Sequence, residues 1–221
     1  MSINKENYNS IIKELDGKAT LVAVSKTKPV EDIQELYNMG QRDFGENYVQ
    51  ELVDKYQQLP KDIRWHFIGH LQSNKVKYIA PFVHLIHGVD SASLLKEINK
   101  QALKNNRVID CLLQVYIATE ETKFGFGIHE LGELHELHEL KNVRVIGLMG
   151  MASFSKDITV IRKEFKVLKK VFDDHAQLST FNFQLSTLSM GMSSDYKTAL
   201  EEGSNMVRIG SLLFGERNYN R

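Results

Sequence analysis

Short apolar runs alternate with longer amphipathic segments from one end of the chain to the other. Eight runs have the length and composition of strands: Leu21–Ser25, Asp43–Glu46, Trp65–Gly69, His84–Val89, Cys111–Ile117, Val143–Met149, Phe183–Leu188 and Met206–Ile209. The segments between them predict the helices Val30–Met39, Tyr48–Leu59, Ser73–Ile79, Ser91–Asn105, His129–Leu140, Asp157–Ala176 and Asp195–Glu202, and a last one from near Ser211 toward Arg217.

This alternation predicts an α/β fold. Strands that are separated by single helices call for right-handed parallel crossovers. Eight such units in 221 residues come close to the roughly 250 residues of a typical closed (β/α)8 barrel. We therefore predict one TIM-barrel domain over residues 1–221. A doubly wound open sheet is the alternative, because periodicity does not reveal the order of the strands.

Charge and cysteine content exclude some classes of partner and indicate the cellular location of the protein. Lys plus Arg and Asp plus Glu both number 28, so the chain lacks the basic surplus that nucleic acids or anionic membranes require. The single cysteine, Cys111, lies in an apolar run and is expected to be a buried small hydrophobe. The N-terminus lacks a signal peptide, and no run approaches the ~20 apolar residues of a membrane span. The sequence predicts a cytoplasmic protein.

In a barrel, the chemistry is expected where each strand ends and its loop begins. Lys26 directly follows the predicted strand Leu21–Ser25, and Lys28 is close to it. Partial burial and the neighbouring charge would both lower the amine pKa and favour a nucleophilic lysine. A solvated loop with two lysines is the competing interpretation.

The last two strand ends carry small polar residues. The loop Ser189–Asp195 follows the predicted seventh strand, and Gly210 and Ser211 follow the eighth. Glycine amides, serine hydroxyls and helix N-termini together form a cradle for phosphate. A barrel is expected to bind phosphate at these two positions, so we predict a phosphate site between Ser189 and Ser211.

Three further strand ends hold candidate ligand contacts. Asn47 follows the second strand, and His66 alternates with Ile68 on one face of the third. Met149 ends the sixth strand, where its sulfur could pack on an aromatic ring. A satisfied core histidine and ordinary core packing are the alternatives for His66 and Met149.

One histidine-rich segment suggests a metal site. His135 and His138 lie one helical turn apart within His129–Leu140. However, leucines at 131, 134, 137 and 140 indicate an apolar helix stripe, with the histidines solvated beside it. The sequence therefore predicts no metal site.

The motifs at the strand ends carry a resemblance to a known family. They read AVSKTKP at 23–29, FGENYVQE at 44–51, WHFIGHLQSNK at 65–75, LSMGMS at 188–193 and MVRIGS at 206–211. In this order they resemble the pyridoxal phosphate homeostasis protein family, the stand-alone relatives of the alanine racemase barrel domain. The resemblance runs from about Leu21 to Arg217.

The resemblance implies specific roles for these residues. Pyridoxal phosphate (PLP) would form a Schiff base with Lys26, its phosphate would meet Ser189, Gly210 and Ser211, and Arg208 would face the pyridine nitrogen. Asn47, His66 and Met149 complete the expected cofactor contacts. The chain departs from the family in two places: Ser211 replaces the usual threonine and keeps its hydroxyl, whereas Tyr116 replaces the usual asparagine.

The function implied by the resemblance is carriage of PLP within the cell rather than turnover, with no catalytic residues and with apo PLP enzymes as transient partners. Two alternatives stay open. One is a PLP-dependent amino-acid racemase, in which Tyr116 could act at the cavity mouth. The other is a class I aldolase that uses Lys26 on a sugar phosphate.

Overall fold

The structure is a computed structural model that describes residues 3–118, 124–131, 139–176 and 185–216. Every predicted strand overlaps an observed one in these ranges. The strands are β1 (Thr20–Val24), β2 (Asp43–Glu46), β3 (Arg64–Phe67), β4 (Leu85–Val89), β5 (Ile109–Gln114), β6 (Val143–Met149), β7 (Thr187–Met192) and β8 (Met206–Ile209).

Among the described residues, helices follow seven of the eight strands, all except β5, as the amphipathic pattern predicts. They are α1 (Lys5–Leu15), α2 (Val30–Asn38), α3 (Val49–Gln58), α4 (Val76–Ile79), α5 (Ala92–Lys104), α6 (Ile158–Ala176), α7 (Tyr196–Glu201) and α8 (Ser211–Phe214), with a 3-10 helix at Ser73–Lys75. The pattern predicts no helix before β1, but α1 forms there. Asn4 caps it, and Asn7 Nδ2 donates to the Leu212 carbonyl of α8 (2.9 Å).

The strands close into a barrel. Each strand pairs in parallel with the next, and β8 returns to β1 with Thr20 opposite Met206 and Ala23 opposite Ile209. The predicted (β/α)8 barrel is therefore confirmed, and the open doubly wound alternative is wrong. Parallel closure brings the C-terminal ends of all eight strands to one rim, which we call the mouth. The opposite end is called the base.

Alternating residues of the strands face two different apolar regions. The larger core lies between strands and helices and includes Phe44, Trp65 and Phe67. A small apolar layer lies inside the barrel and consists of Val22, Leu85, Leu112, Met149 and Met206. Cys111 is fully buried, as its apolar surroundings predict.

The seventh strand begins four residues later than predicted. Phe183–Leu188 is the predicted strand, whose first two residues lie outside the described ranges, and Thr187–Met192 is the observed one. Serine and glycine after residue 188 resemble a loop in sequence, but inside the barrel they are strand residues. Gly191 has a φ of +95°, and a Cβ there would lie 2.6 Å from the Ala199 Cβ.

The predicted helix His129–Leu140 and the predicted absence of a membrane span concern residues that the structure describes only in part. Residues 132–138 of the predicted helix His129–Leu140 are not described, and residues 128–131 form a 3-10 turn in which Leu131 is buried. Within the described ranges, no helix is both long and apolar enough to cross a membrane.

Candidate functional site

The turn that carries Lys26 lies directly after β1. Lys28 N donates to the Ser25 carbonyl (3.0 Å) and closes the turn. Thr27, between the two lysines, has a φ of +64°. This left-handed conformation is rare for a β-branched residue and costs on the order of 1–3 kcal/mol. The turn therefore persists only because its surroundings hold it.

A group of charged side chains from β2 and α3 holds this turn. Glu46 Oε1 accepts hydrogen bonds from Ser25 Oγ (2.6 Å) and from Lys55 Nζ (2.8 Å). Lys55 also donates to the Ser25 carbonyl (2.8 Å) and to Glu51 Oε1 (2.7 Å), which in turn accepts from Thr27 N (2.6 Å). The residues on both sides of Lys26 are thus fixed by one ionic network, which we call the turn clamp.

Glu46 is the most deeply buried member of the turn clamp. Burial raises the pKa of its carboxyl to about 7, although Lys55 acts in the opposite direction. Its second oxygen, Oε2, is buried and has no hydrogen-bond partner among the described residues. The clamp therefore contains a carboxyl group whose charge is costly at neutral pH.

A cavity of about 500 Å³ opens at the mouth beside this turn. Five of the eight residues predicted to contact a cofactor line it together: Lys26, Asn47, Arg208, Gly210 and Ser211. Ser193 and Ser194, which follow β7, line it as well, and the sequence analysis did not single them out. If the seventh strand had been predicted at 187–192, these two serines would have been recognised as the first residues after its end.

Arg208 brings a buried positive charge to this cavity. Its guanidinium donates to Ser189 Oγ (2.6 Å) and to the Gly150 carbonyl (3.1 Å), both of which are neutral. Burial lowers the pKa of Arg208 to about 10, so the group remains charged at neutral pH. A buried charge is costly. The nearby Asp195 carboxylate offsets part of the effect of burial, and the guanidinium also faces a space that a ligand can enter.

Asn47 and Gly210 also favour a ligand. Asn47 Oδ1 is buried without a partner among the described residues, although buried polar atoms are nearly always hydrogen-bonded. At Gly210, a Cβ would lie 3.2 Å from the Val24 carbonyl oxygen and 3.3 Å from the Val24 Cβ. The end of β8 therefore approaches β1 closely. Gly210 N donates to Ser193 Oγ (3.1 Å), which joins the loops after β7 and β8.

Ser189 and His66 lie inside the barrel and do not line the cavity. They belong to a buried hydrogen-bonded series in which Arg208 contacts Ser189, Ser189 Oγ lies 3.3 Å from His87 Nδ1, and His87 Nε2 lies 2.9 Å from His66 Nδ1. His66 Nε2 lies 3.0 Å from Asp43 Oδ1. We call this series the interior chain.

The interior chain has one consistent set of proton positions when both rings are neutral. Burial, and then the neighbouring His66, lower the pKa of His87 well below its ordinary value. Burial raises the pKa of Asp43, but hydrogen bonds from Arg64 and His66 outweigh it and hold this pKa well below its usual range. His66 Nε2–H then donates to the carboxylate, His87 Nε2–H to His66, and Ser189 to His87.

His87 and Asp43 are members of this chain that the sequence did not predict. Both histidines are the third residue of their strands, which would have suggested a shared inward position. The predicted contact at Met149 also differs, because Met149 lies in the inner apolar layer and Met151 lines the cavity instead. Tyr116 lines a separate crevice beside Met151.

Comparison with known proteins agrees with this geometry. The sequence profile of the alanine racemase N-terminal domain matches residues 4–218. An alanine racemase of Clostridium difficile has the same fold at 15% identity, with a TM-score of 0.78 over 99% of this chain and 59% of the racemase. The fold and the lysine at its mouth therefore define a barrel of the alanine racemase N-terminal type.

Two closer relatives narrow the class. A pyridoxal phosphate homeostasis protein of Aquifex aeolicus is 47% identical over 203 residues, 91% of this chain and 88% of the relative. PipY of Synechococcus elongatus, solved with PLP bound, is 34% identical with a TM-score of 0.87, covering 95% of this chain and 99% of PipY. The chain belongs to the pyridoxal phosphate homeostasis protein family, as its motifs predict.

Proposed function

We propose that this chain binds PLP through a Schiff base on Lys26 and serves as a cytoplasmic carrier that contributes to PLP homeostasis. One observation carries the proposal: Lys26, the buried guanidinium of Arg208 and the Gly210–Ser211 turn line the same cavity. The amine can react with an aldehyde, the buried cation can face a pyridine nitrogen, and the turn of small residues can bind a phosphate. The relatives named for PLP support it.

The residues present fit the two ends of such a cofactor. Arg208 would face the pyridine nitrogen, and Asn47 would offer its unpaired Oδ1 to a polar group of the ring. The backbone at Gly210 and the exposed hydroxyls of Ser194 and Ser211 would hold the phosphate. We assign Ser189 a different role from the predicted phosphate contact, since its hydroxyl orients the Arg208 guanidinium from inside the barrel.

The same residues support carriage rather than catalysis. Bound PLP supplies an aldehyde and an electron-withdrawing ring, which a racemase combines with acid–base groups on both faces of the substrate. Among the described residues that line the cavity, the titratable side chains are Lys26, Lys28 and Arg208. Lys28 Nζ already donates to the Phe214 carbonyl (2.7 Å). A permanently charged Arg208 would also keep the pyridine nitrogen unprotonated and weaken the ring as an electron sink.

Delivery of PLP to apo PLP enzymes is the further step of this proposal. The cavity opens at the mouth of the barrel, so PLP can leave there once the link to Lys26 is hydrolysed and its other contacts are broken. Direct transfer would make the rate of reconstitution rise with the concentration of the apo-enzyme. A rate that is independent of this concentration and equal to the rate of PLP release would contradict direct transfer.

The covalent link is tested by absorbance and by reduction with borohydride. Purified protein loaded with PLP should lose its long-wavelength band on reduction and retain the cofactor on the peptide that contains Lys26. Lys26→Ala should abolish the retained cofactor, whereas the matched control Lys28→Ala should keep it on Lys26. A native amount of retained cofactor in Lys26→Ala would overturn the assignment.

The racemase alternative has its own assay. Protein saturated with PLP should exchange the Cα hydrogen of amino acids for deuterium only at a residual rate, because a positioned acid–base group is typically worth about 10²–10⁴-fold. Exchange and enantiomer interconversion at ordinary enzymatic rates, abolished by Lys26→Ala, would make the chain an enzyme.

A further inference from the structure

Three side chains that commonly bind metal ions meet at the base of the barrel, opposite the Lys26 cavity. Asp43 begins β2, His84 directly precedes β4, and His66 lies inside β3. One carboxylate oxygen of Asp43 and one ring nitrogen of each histidine all lie within 4.8 Å of one another. Asp43 and His66 are buried, whereas His84 is exposed. The group is therefore open to solvent on one side.

The donor set fits a first-row transition metal. Two imidazoles and one carboxylate are ligands that zinc accepts, and three protein ligands leave a fourth position for water. A metal-binding histidine usually has a hydrogen-bond partner at its other nitrogen, which fixes the ring. His66 has such a partner, because its Nδ1 lies 2.9 Å from His87 Nε2. The ring of His66, on the buried side of the group, is thus already oriented.

We propose that Asp43, His66 and His84 bind one divalent first-row transition-metal ion, and that zinc fits this site best. The expectation from sequence was that the chain has no metal site. That expectation considered the histidines within His129–Leu140, whereas residues 43, 66 and 84 are brought together only by the neighbouring strands β2, β3 and β4.

Arg64 competes with the metal for Asp43. Its Nε donates to Asp43 Oδ1 (2.7 Å), and its Nη2 donates to Oδ2. The Arg64 side chain is 48% exposed, so it can turn into solvent when a cation binds the carboxylate. Removing the positive charge of Arg64, which repels the metal ion, should strengthen metal binding. A gain in affinity distinguishes a metal site from an ordinary ion-pair cluster.

Metal binding also moves protons along the interior chain. When both rings are neutral and no metal is bound, His66 would carry its proton on Nε2, since the Asp43 carboxylate 3.0 Å away can only accept. When the metal takes Nε2, that proton must move to Nδ1, where it points at His87. The neutral His87 ring then shifts its own proton from Nε2 to Nδ1, facing Ser189. The number of protons on the two rings is unchanged.

Calorimetric titration with Zn²⁺ and visible absorption with Co²⁺ test the site. Both are done on the wild type and on a His135→Gln/His138→Gln background, because these histidines could bind metal independently. One ion per chain is expected in that background. Loss of a residue that only supports a metal ligand typically costs about 10- to 100-fold in affinity. Because His84 would bind the metal directly, His84→Ala should weaken binding by about 100-fold. Arg64→Gln should strengthen it several-fold.

His70→Ala is the matched control. His70 is also half-exposed and lies 2.9 Å from a carboxylate oxygen of Asp90, but it has no third ligand in the described part of the chain. Its replacement should leave the affinity unchanged. Nitrogen chemical shifts of the imidazoles should report the change of His66 and His87 from Nε2–H to Nδ1–H when Zn²⁺ is added.

Several outcomes would overturn the proposal. They are an equal Zn²⁺ affinity in His84→Ala and the wild-type background, weaker binding in Arg64→Gln, or a loss in His70→Ala as large as in His84→Ala. Circular dichroism and PLP absorbance of each variant show whether it is folded. The Zn²⁺ titrations need no bound PLP, so their outcome can be distinguished from that of the proposed cofactor function.

Discussion

The mouth and the base of this barrel differ in how their charged and amide side chains are paired. At the base, Asp43 accepts hydrogen bonds from Arg64 and His66, and Arg144 forms a two-point ion pair with Asp110 (both 2.7 Å). At the mouth, Arg208 has neutral partners, and both Glu46 Oε2 and Asn47 Oδ1 have none among the described residues.

This difference indicates where the chain tolerates an energetic cost. Polar groups that are buried without full hydrogen bonding reduce stability, and natural proteins retain them where a ligand uses them. Backbone strain follows the same division. Thr27 at the mouth has a φ of +64°, whereas the base has Asp16 at +48°, a residue type that tolerates this conformation. Among the described residues, the mouth therefore holds unpaired polar groups that a ligand could use, whereas the charged groups at the base are already paired with one another.

The largest predicted effect breaks the turn clamp at the mouth. Lys55→Met leaves the buried Glu46 without its ionic partner, and loss of one member of a buried ion pair costs about 3–5 kcal/mol. We expect the free energy of unfolding, measured in urea at pH 8, to fall by this amount. The control is Lys100→Met, which removes an exposed pair with Glu97 and should cost under about 1 kcal/mol. Equal effects would contradict a special role for the clamp.

Glu46 should also give stability a characteristic pH dependence. Its pKa in the folded state is about 7, above the ~4.3 of an unfolded chain, so the folded state retains the proton over this range. Its contribution is fully present below about pH 4 and is lost as the pH rises through 7, by up to about 4 kcal/mol. The wild type should therefore lose stability relative to Glu46→Gln between pH 5 and pH 8. A constant difference between the two proteins would contradict the raised pKa.

A pair of arginine variants compares the two ends directly. Arg208→Met should weaken PLP binding by about 10- to 100-fold, since hydrogen bonds to charged groups contribute ~1.5–3 kcal/mol. It should leave the unfolding free energy of the PLP-free protein unchanged or increased, because it removes a buried charge. Arg64→Met at the base should leave the PLP affinity unchanged. Equal losses of PLP affinity in the two variants would contradict the division between the ends.

The smallest predicted effect concerns backbone strain. Thr27→Gly relieves the left-handed conformation at the mouth, although glycine adds entropy to the unfolded chain. We expect the free energy of unfolding to rise by about 1 kcal/mol or less. Asp16→Gly at the base should give a smaller gain, because aspartate is less strained at positive φ. A larger gain in unfolding free energy for Asp16→Gly than for Thr27→Gly would contradict the greater strain at the mouth.

The sequence predicts the mouth better than the interior. Lys26 and Gly210 are predicted because each directly follows a predicted strand, and parallel strands end at one rim. Arg208 is predicted only through the family resemblance. Ser189 was placed in the wrong element because its neighbours resemble a turn. His66 was found, but its partners Asp43 and His87 come from other strands, and no local pattern links them.

The alternation of apolar and amphipathic segments determined the eight strand–helix units, and the motifs at their ends determined the family. Local periodicity carries this information because burial repeats every two residues in a strand and about every 3.6 in a helix. Only the tertiary structure decided that β8 pairs with β1, that Ser189 supports Arg208 rather than lining the cavity, and that Asp43, His66 and His84 meet at the base. The physical reason is that these contacts depend on the register between strands, which side chains far apart in sequence set together when the barrel closes.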